Sequence, residues 1–436
     1  MRSYEHSQAW YERAKQVTPN ASQTNSKSPG RVGPLGAYPL GAGRAKGCYV
    51  WEVDKWWDQD WCAATPAHGP YVDWYCGNCA VTLGHQHERI VESVKDQLSL
   101  GILLPLPSPL EAKVAEWLCQ VIPCAESVRF LKTGSESTEA AIRIARAATG
   151  RDVIVITDAS YHGWHSWYAV TKDRHPGVPE FYAEGVRVVP HGDQMAMMDA
   201  LRDDVAMVFI EPQFHRPHET DYLRDVQVLA RGHDVLFGLD EIVAGGRLAL
   251  GGAQEAYGLD PDLATFGKSF GQGLPMAFVC GRQALMQHAT LVSGTFGGEL
   301  LSLAACRAML RVYAENGVIA RIHTVGQMLM DGFNGTATRL NVPVRLTGHP
   351  SRPWTVWTHD DINLCQSLFQ QELAERGVIT HYTAWNPSAA HTAEAIADTL
   401  TAARGALEAM VVCLASDNPA QFLRGERIAD SIRASS

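Results

Sequence analysis

Short, unbroken apolar runs recur through the middle of the chain, and most are followed by a stretch with helical spacing. "VRFLKT" (128–133), "DVIVIT" (152–157), "VRVVP" (186–190), "VAMVFIEP" (205–212), "VLFGLDEI" (235–242), "LATFG" (263–267) and "MAFVCG" (276–281) read as strands. Runs of this length without alternation suit strands buried on both faces. "HERIVESVKDQL", "SPLEAKVAEWLCQVI" and "ESTEAAIRIARAAT" have the period of helices, the second opened by Ser108 with Glu111 three residues on. Alternation from about 86 to 310 predicts an α/β fold with a mostly parallel central sheet covered on both sides.

The two ends differ. Residues 21–47, rich in Ser, Pro and Gly, read as an irregular arm. "CYVWEVD" (48–54) predicts a strand and "YVDWY" (71–75) its hairpin partner. Between them, residues 55–69 carry Trp56, Trp57 and Trp61, expected either to pack on a neighbouring surface or to shape a pocket. After a long helix at "ELLSLAACRAMLRVYAENG", the segments "VPVRLTG", "PWTVWTH", "DINLCQSLFQQELAERG" and "AEAIADTLTAARGALEAM" predict a smaller α+β domain. The expected division is an arm and hairpin at 1–85 joined to the small domain, a large domain at 86–315 and the small domain proper at 316–436.

Composition narrows the class. The 436 residues are 46% hydrophobic and 19% charged, as in a packed globular protein, and a net charge of −10 argues against a nucleic-acid partner. The start lacks the apolar core of a signal peptide and no run reaches 18 apolar residues, so a cytoplasmic protein without a membrane partner is expected. Of ten cysteines, Cys76 and Cys79 have CxxC spacing near His85 and His87. No second pair exists to complete a zinc site, so packed thiols beside a turn are expected and no metal.

Ligands of open α/β sheets bind beyond the carboxyl ends of the strands, and four features fall there. "KTGSEST" turns through Gly134 and Ser135 into a helix, where free amides can cradle a phosphate. "SYHGW" sets Tyr161 and His162 on a turn, suited to covering a flat ligand. Asp240 ends an apolar strand in "LDEI", costly to bury unless it meets a cation or several donors. Lys268 lies in "TFGKSFGQGLP", among bendable glycines. A phosphate cradle, a stacking ring, a buried acid and an amine together fit pyridoxal 5'-phosphate better than any one of them does alone.

The chain resembles the class III (subgroup II) aminotransferases of PLP fold type I, in the branch of the glutamate-1-semialdehyde 2,1-aminomutases. The resemblance rests on "GCYVWEVD", "LGHQHERIVESV", "TGSEST", "YHGW", "IEP", "GTFGG" and above all the block from "LDEIVAGGR" to "GKSFGQGLP". It implies that Lys268 forms the Schiff base and shuttles the proton, while Asp240 pairs with the ring nitrogen. Tyr161 and Ile242 would flank the ring with His162 nearby, Gly134 and Ser135 would hold the phosphate, and Glu211 would lie near the ring and the substrate side. Thr295 would reach the phosphate of a neighbouring subunit, which implies a homodimer with shared active sites. Trp164 after "YHG" and "QFHRPHE" after "EP" depart from the aminomutase pattern. The expectation is therefore amino transfer between a donor amine and an acceptor carbonyl. The aminomutase and a non-catalytic PLP-fold protein are the alternatives.

Overall fold

The structure, a computed structural model, describes residues 2–53, 69–172 and 176–428. Its strands in chain order are β1 (Ala42–Lys46), β2 (Tyr49–Glu52), β3 (Tyr71–Asp73), β4 (Ser127–Leu131), β5 (Val153–Thr157), β6 (Val186–Val189) and β7 (Val205–Ile210). They continue as β8 (Leu236–Asp240), β9 (Leu263–Phe266), β10 (Ala277–Gly281), β11 (Val344–Thr347), β12 (Trp354–Trp357) and β13 (Val378–Ile379). The chain forms two compact units, Glu88–Ile319 and Met1–His87 with Ala320–Ser435.

The unit Glu88–Ile319 is built on a seven-stranded sheet in the order β4-β10-β9-β8-β7-β5-β6. Strands β5 to β9 are parallel, and β10 alone runs against both its neighbours. All seven apolar runs expected as strands are therefore strands of one mostly parallel sheet. Every residue of β5 and β7 is buried, which explains why their sequences do not alternate.

Alternate residues still serve opposite faces. Ile154 and Ile156 pack with Ala141, Ile142 and Ala145 of the helix Gly134–Thr149. Val153 and Val155 pack with Leu223, Val226 and Ala230 of the helix Glu219–Gly232. Each such aliphatic side chain contributes about 1.5–3 kcal/mol of burial free energy, so the sheet is a rigid platform for whatever its loops carry.

Helix starts fix where those loops turn. Thr133 caps the helix Gly134–Thr149 in a reciprocal box: its hydroxyl accepts from Glu136 N–H at 3.2 Å, and its own N–H donates to Glu136 at 2.9 Å. Gly150, at φ 68°, ends the helix. Ser108 and Glu111 form the same box before Pro109–Val121, as expected.

In the other unit, β1, β2, β3 and β13 form one sheet and β11 pairs with β12. Strand β3 pairs antiparallel with β2, as the hairpin expectation had it. Trp74, Phe333, Phe369 and Trp385 anchor its core, with Trp74 and Trp385 edge-on at 5.7 Å.

Two elements differ from expectation. β1 lies inside the segment read as an irregular arm, because "AGRAK" is exposed almost throughout and carries no apolar signal. The helix Val318–Arg339 was not anticipated, and it carries Gly326, Gly332 and Gly335 within it. Two of them are contact points: a Cβ on Gly326 would lie 1.7 Å from Pro350 O, and one on Gly332 2.6 Å from Leu400 Cδ1. The tryptophan-rich stretch 55–69 falls outside the described residues except for Gly69. Cys76 and Cys79 are buried, and their thiols donate to Asn386 O at 3.1 Å and Asn386 Oδ1 at 2.9 Å.

Candidate active site

Asp240 is the last residue of β8 and faces Thr265 across the parallel register with β9. Its side chain is almost fully buried, and three donors converge on it. His162 Nδ1 lies 2.8 Å from Oδ2, while Thr265 Oγ1–H and Ile242 N–H donate to Oδ1 at 3.3 and 3.2 Å. Burial pushes the Asp240 pKa up, and the hydrogen bond from His162 opposes that rise. A carboxylate can only accept, so His162 Nδ1 holds its proton toward Asp240. His162 Nε2 is buried with no hydrogen-bond partner among the described residues, 4.7 Å from Phe209 and 6.0 Å from Trp167 by ring centroids. An anion buried this deeply suits a cationic ring nitrogen.

Lys268 comes two residues after β9, at the start of the short 3-10 turn Lys268–Phe270. Its φ is +43°, a left-handed conformation that costs a non-glycine residue about 1–2 kcal/mol. The glycines around it have geometric reasons. A Cβ on Gly271 would lie 2.1 Å from Leu274 O, and Gly273 has φ 99°. The backbone thus doubles back tightly and delivers a half-buried lysine at a strand end.

Gly134 and Ser135, expected from the sequence to cradle a phosphate, open the helix Gly134–Thr149, where first-turn amides have no partner within the helix. A Cβ on Gly134 would lie 2.9 Å from Ile242 Cδ1, and one on Gly267 3.7 Å from Ile242 Cγ2, so Ile242 sits over both turns. Ser135 Oγ accepts from Trp164 N–H at 3.3 Å. Gly163, at φ +110°, comes so near that a Cβ would lie 2.3 Å from Ser135 Oγ. Tyr161 donates its N–H to Glu211 Oε2 at 2.8 Å, and its ring is 44% exposed and edge-on to Tyr168.

Hydrogen bonds, close approaches and strand register thus link Gly134, Ser135, Tyr161, His162, Glu211, Asp240, Ile242 and Lys268 along neighbouring strand ends. Thr295 stands apart, exposed in a turn before the helix Leu300–Asn316.

Sequence reasoning did not single out Thr138, His165 or Thr265. Thr138 Oγ1 donates to His162 O at 2.7 Å and lies 3.0 Å from His165 Nε2, tying the helix to the Tyr161 turn. Burial and nearby His162 push the His165 pKa down to about 4, so this ring is neutral at physiological pH. Thr265 had a signal, as the one hydroxyl inside the apolar run "LATF". Thr138 and His165 had none beyond ordinary surface chemistry.

A sheet with one reversed strand, a buried acid at one strand end, a glycine-bound lysine at the next and a capped helix N-terminus beside them define a PLP-dependent enzyme of fold type I. The family profile described as Aminotransferase class-III matches residues 38–379, and the chain belongs to that family. It is similar to the glutamate-1-semialdehyde 2,1-aminomutase of Methanothermobacter thermautotrophicus, at 32% identity over 86% of this chain and 93% of the relative. That of Methanothrix thermoacetophila is 35% identical over 78% and 80%. Among solved structures, the PLP internal aldimine form of the Sphingopyxis sp. MTA144 FumI protein superposes with a TM-score of 0.86 at 25% identity, covering 96% of this chain and all of that one. Pyridoxal 5'-phosphate is the cofactor of this family, and the protein is a PLP-dependent enzyme. No described helix is long and apolar enough to cross a membrane.

Proposed function

We propose that the protein moves an amino group from one carbon to the next within a single skeleton, as a glutamate-1-semialdehyde 2,1-aminomutase does. The observation that carries this reading is the 32% identity to such an enzyme over nearly the full length of both chains. The relatives favour it over exchange between two molecules, which the sequence alone put first. Intermolecular transfer remains the second reading, because Gln213 Nε2 contacts Glu211 Oε2 at 3.3 Å and Trp164 stands 79% exposed beside Ser135. Both residues lie where this sequence departs from the aminomutase pattern.

The residues divide the work by position. Bound pyridoxal phosphate supplies the electron sink that lets a proton leave the carbon bearing nitrogen. The Lys268 amine would carry the cofactor and then take and return that proton. Asp240, held anionic by His162, Thr265 and Ile242, would face the ring nitrogen and keep it protonated. Ile242 and Tyr161 would confine the ring, and the amides and hydroxyl of Gly134 and Ser135 would bind phosphate. Glu211 would stand on the substrate side. Thr295 would serve the phosphate of a partner in a homodimer. A cytoplasmic location suits the nine described cysteines, all free thiols.

The deciding experiment gives the holoenzyme glutamate-1-semialdehyde as its only substrate. A mutase yields the isomer with nitrogen on C1 and carbonyl on C2 without a second compound. Turnover only when separate donor and acceptor are supplied would replace this reading with the intermolecular one.

A further inference from the structure

Three strand-end loops meet behind Tyr161 and Glu211, and a buried histidine and carboxylate tie them. His191, two residues past β6, holds its Nε2 2.8 Å from Glu219 Oε2, with both side chains at most 4% exposed. Its Nδ1 lies 3.1 Å from Thr157 Oγ1 at the end of β5. Thr157 Oγ1 is 2.8 Å from Ser160 Oγ, which in turn accepts from Glu211 N–H at 3.4 Å. The second Glu219 oxygen takes Gln213 N–H at 2.7 Å, and Gln213 Nε2 reaches Glu211 O at 3.2 Å and Oε2 at 3.3 Å. Two polar paths leave Glu219, and both end on Glu211.

The first path has a direction. The Glu219 carboxylate can only accept, so His191 Nε2 carries a proton. In the neutral ring Nδ1 then accepts from Thr157 O–H. Thr157 accepts in turn from Ser160 O–H, which leaves the Ser160 lone pairs for Glu211 N–H. A packed cluster of apolar residues would brace these loops without the several kcal/mol of desolvation that a buried polar pair costs. The polar chain adds a fixed orientation for the backbone and carboxylate of Glu211.

We propose that His191 and Glu219 are positioning residues that aim Glu211 and the Tyr161 turn at the reacting group. This rests on the reading above that Glu211 stands on the substrate side. It assigns a function to two residues remote from the cofactor contacts.

The test is a double-mutant cycle on the holoenzyme. Glu219→Gln is expected to lower kcat about tenfold or more while cofactor affinity and melting temperature change little, and to have no further effect in a Glu211→Gln background. Selective 15N-histidine spectra, with His191 identified by its loss in His191→Gln, are expected to show Nε2 protonated and Nδ1 bare. Additive losses in the cycle, or a protonated Nδ1, would overturn the proposal. A Glu211→Gln enzyme with normal turnover would instead overturn the placement of Glu211 itself. Should Glu219→Gln fail to fold, Ser160→Ala removes only the last hydroxyl of the chain. It should lower kcat in the same direction, and a wild-type rate in that folded variant would refute the idea.

Discussion

Lys268 occupies a backbone conformation that its own side chain disfavours, with φ at +43°. Such strain persists only where the surroundings impose it, which fits a residue whose amine must be delivered to one point. Lys268→Ala should fold normally and lose the adduct that borohydride reduction fixes to the protein. A reduced adduct on another lysine, located by peptide mapping, would reject the assignment.

Asp240→Asn keeps the shape of the site but removes the charge proposed to face the ring nitrogen. Turnover should fall by about 10²–10³-fold, the usual size of such an electrostatic loss, with the fold intact by circular dichroism. Near-normal turnover would refute the pairing.

Gly163 offers a purely geometric test. Alanine there meets Ser135 Oγ at 2.3 Å and must also adopt φ +110°. Gly163→Ala should cost about 1–3 kcal/mol in denaturant unfolding and weaken cofactor retention measured by dialysis.

Among elements, legibility followed burial. β5 and β7 could be read from sequence because both faces are covered and the run is wholly apolar. β1 could not, since its residues are polar and exposed, and pairing with β2 decides its state. The site divides in the same way. Asp240 and Lys268 stood out as charges beside apolar strands, and Gly134 as a glycine at a strand-to-helix turn. Thr138 and Ser160 did not, because a hydroxyl gains meaning only from neighbours that are distant in sequence.

The turn after β8 carries a further titrating group. Glu241 is fully buried and accepts Ala253 N–H at 2.8 Å and Gln254 N–H at 2.9 Å. Burial nonetheless pushes its pKa from the ordinary 4.5 up to about 7. The fold therefore holds this proton more tightly than the unfolded chain does. The resulting stability is complete below about pH 4.5 and is lost as pH rises through about 7. A displacement of that size is worth on the order of 3 kcal/mol. Unfolding free energies of wild type and Glu241→Gln, measured across that range, should diverge as pH rises. Parallel curves would mean the carboxylate is already ionised at pH 5.

At the scale of the molecule, the compact unit Glu88–Ile319 is one continuous stretch, whereas the other is assembled from Met1–His87 and Ala320–Ser435. On a ribosome the order of synthesis then becomes a constraint. The first 87 residues emerge early, yet Trp74 and the strand β3 have their partners Trp385 and β13 near the other end of the chain. At about 5–20 residues per second, roughly 10–50 s separate residue 87 from residue 320. During that interval the nascent N-terminal segment exposes apolar side chains and an unpaired strand edge, while the continuous unit can complete its own core. Nascent chains stalled once residue 319 has cleared the ribosomal exit tunnel should therefore resist protease across 88–319 and be cut within the first 87 residues. Early protection of both would show that the N-terminal segment finds a temporary partner, and chaperone capture is the first place to look for one.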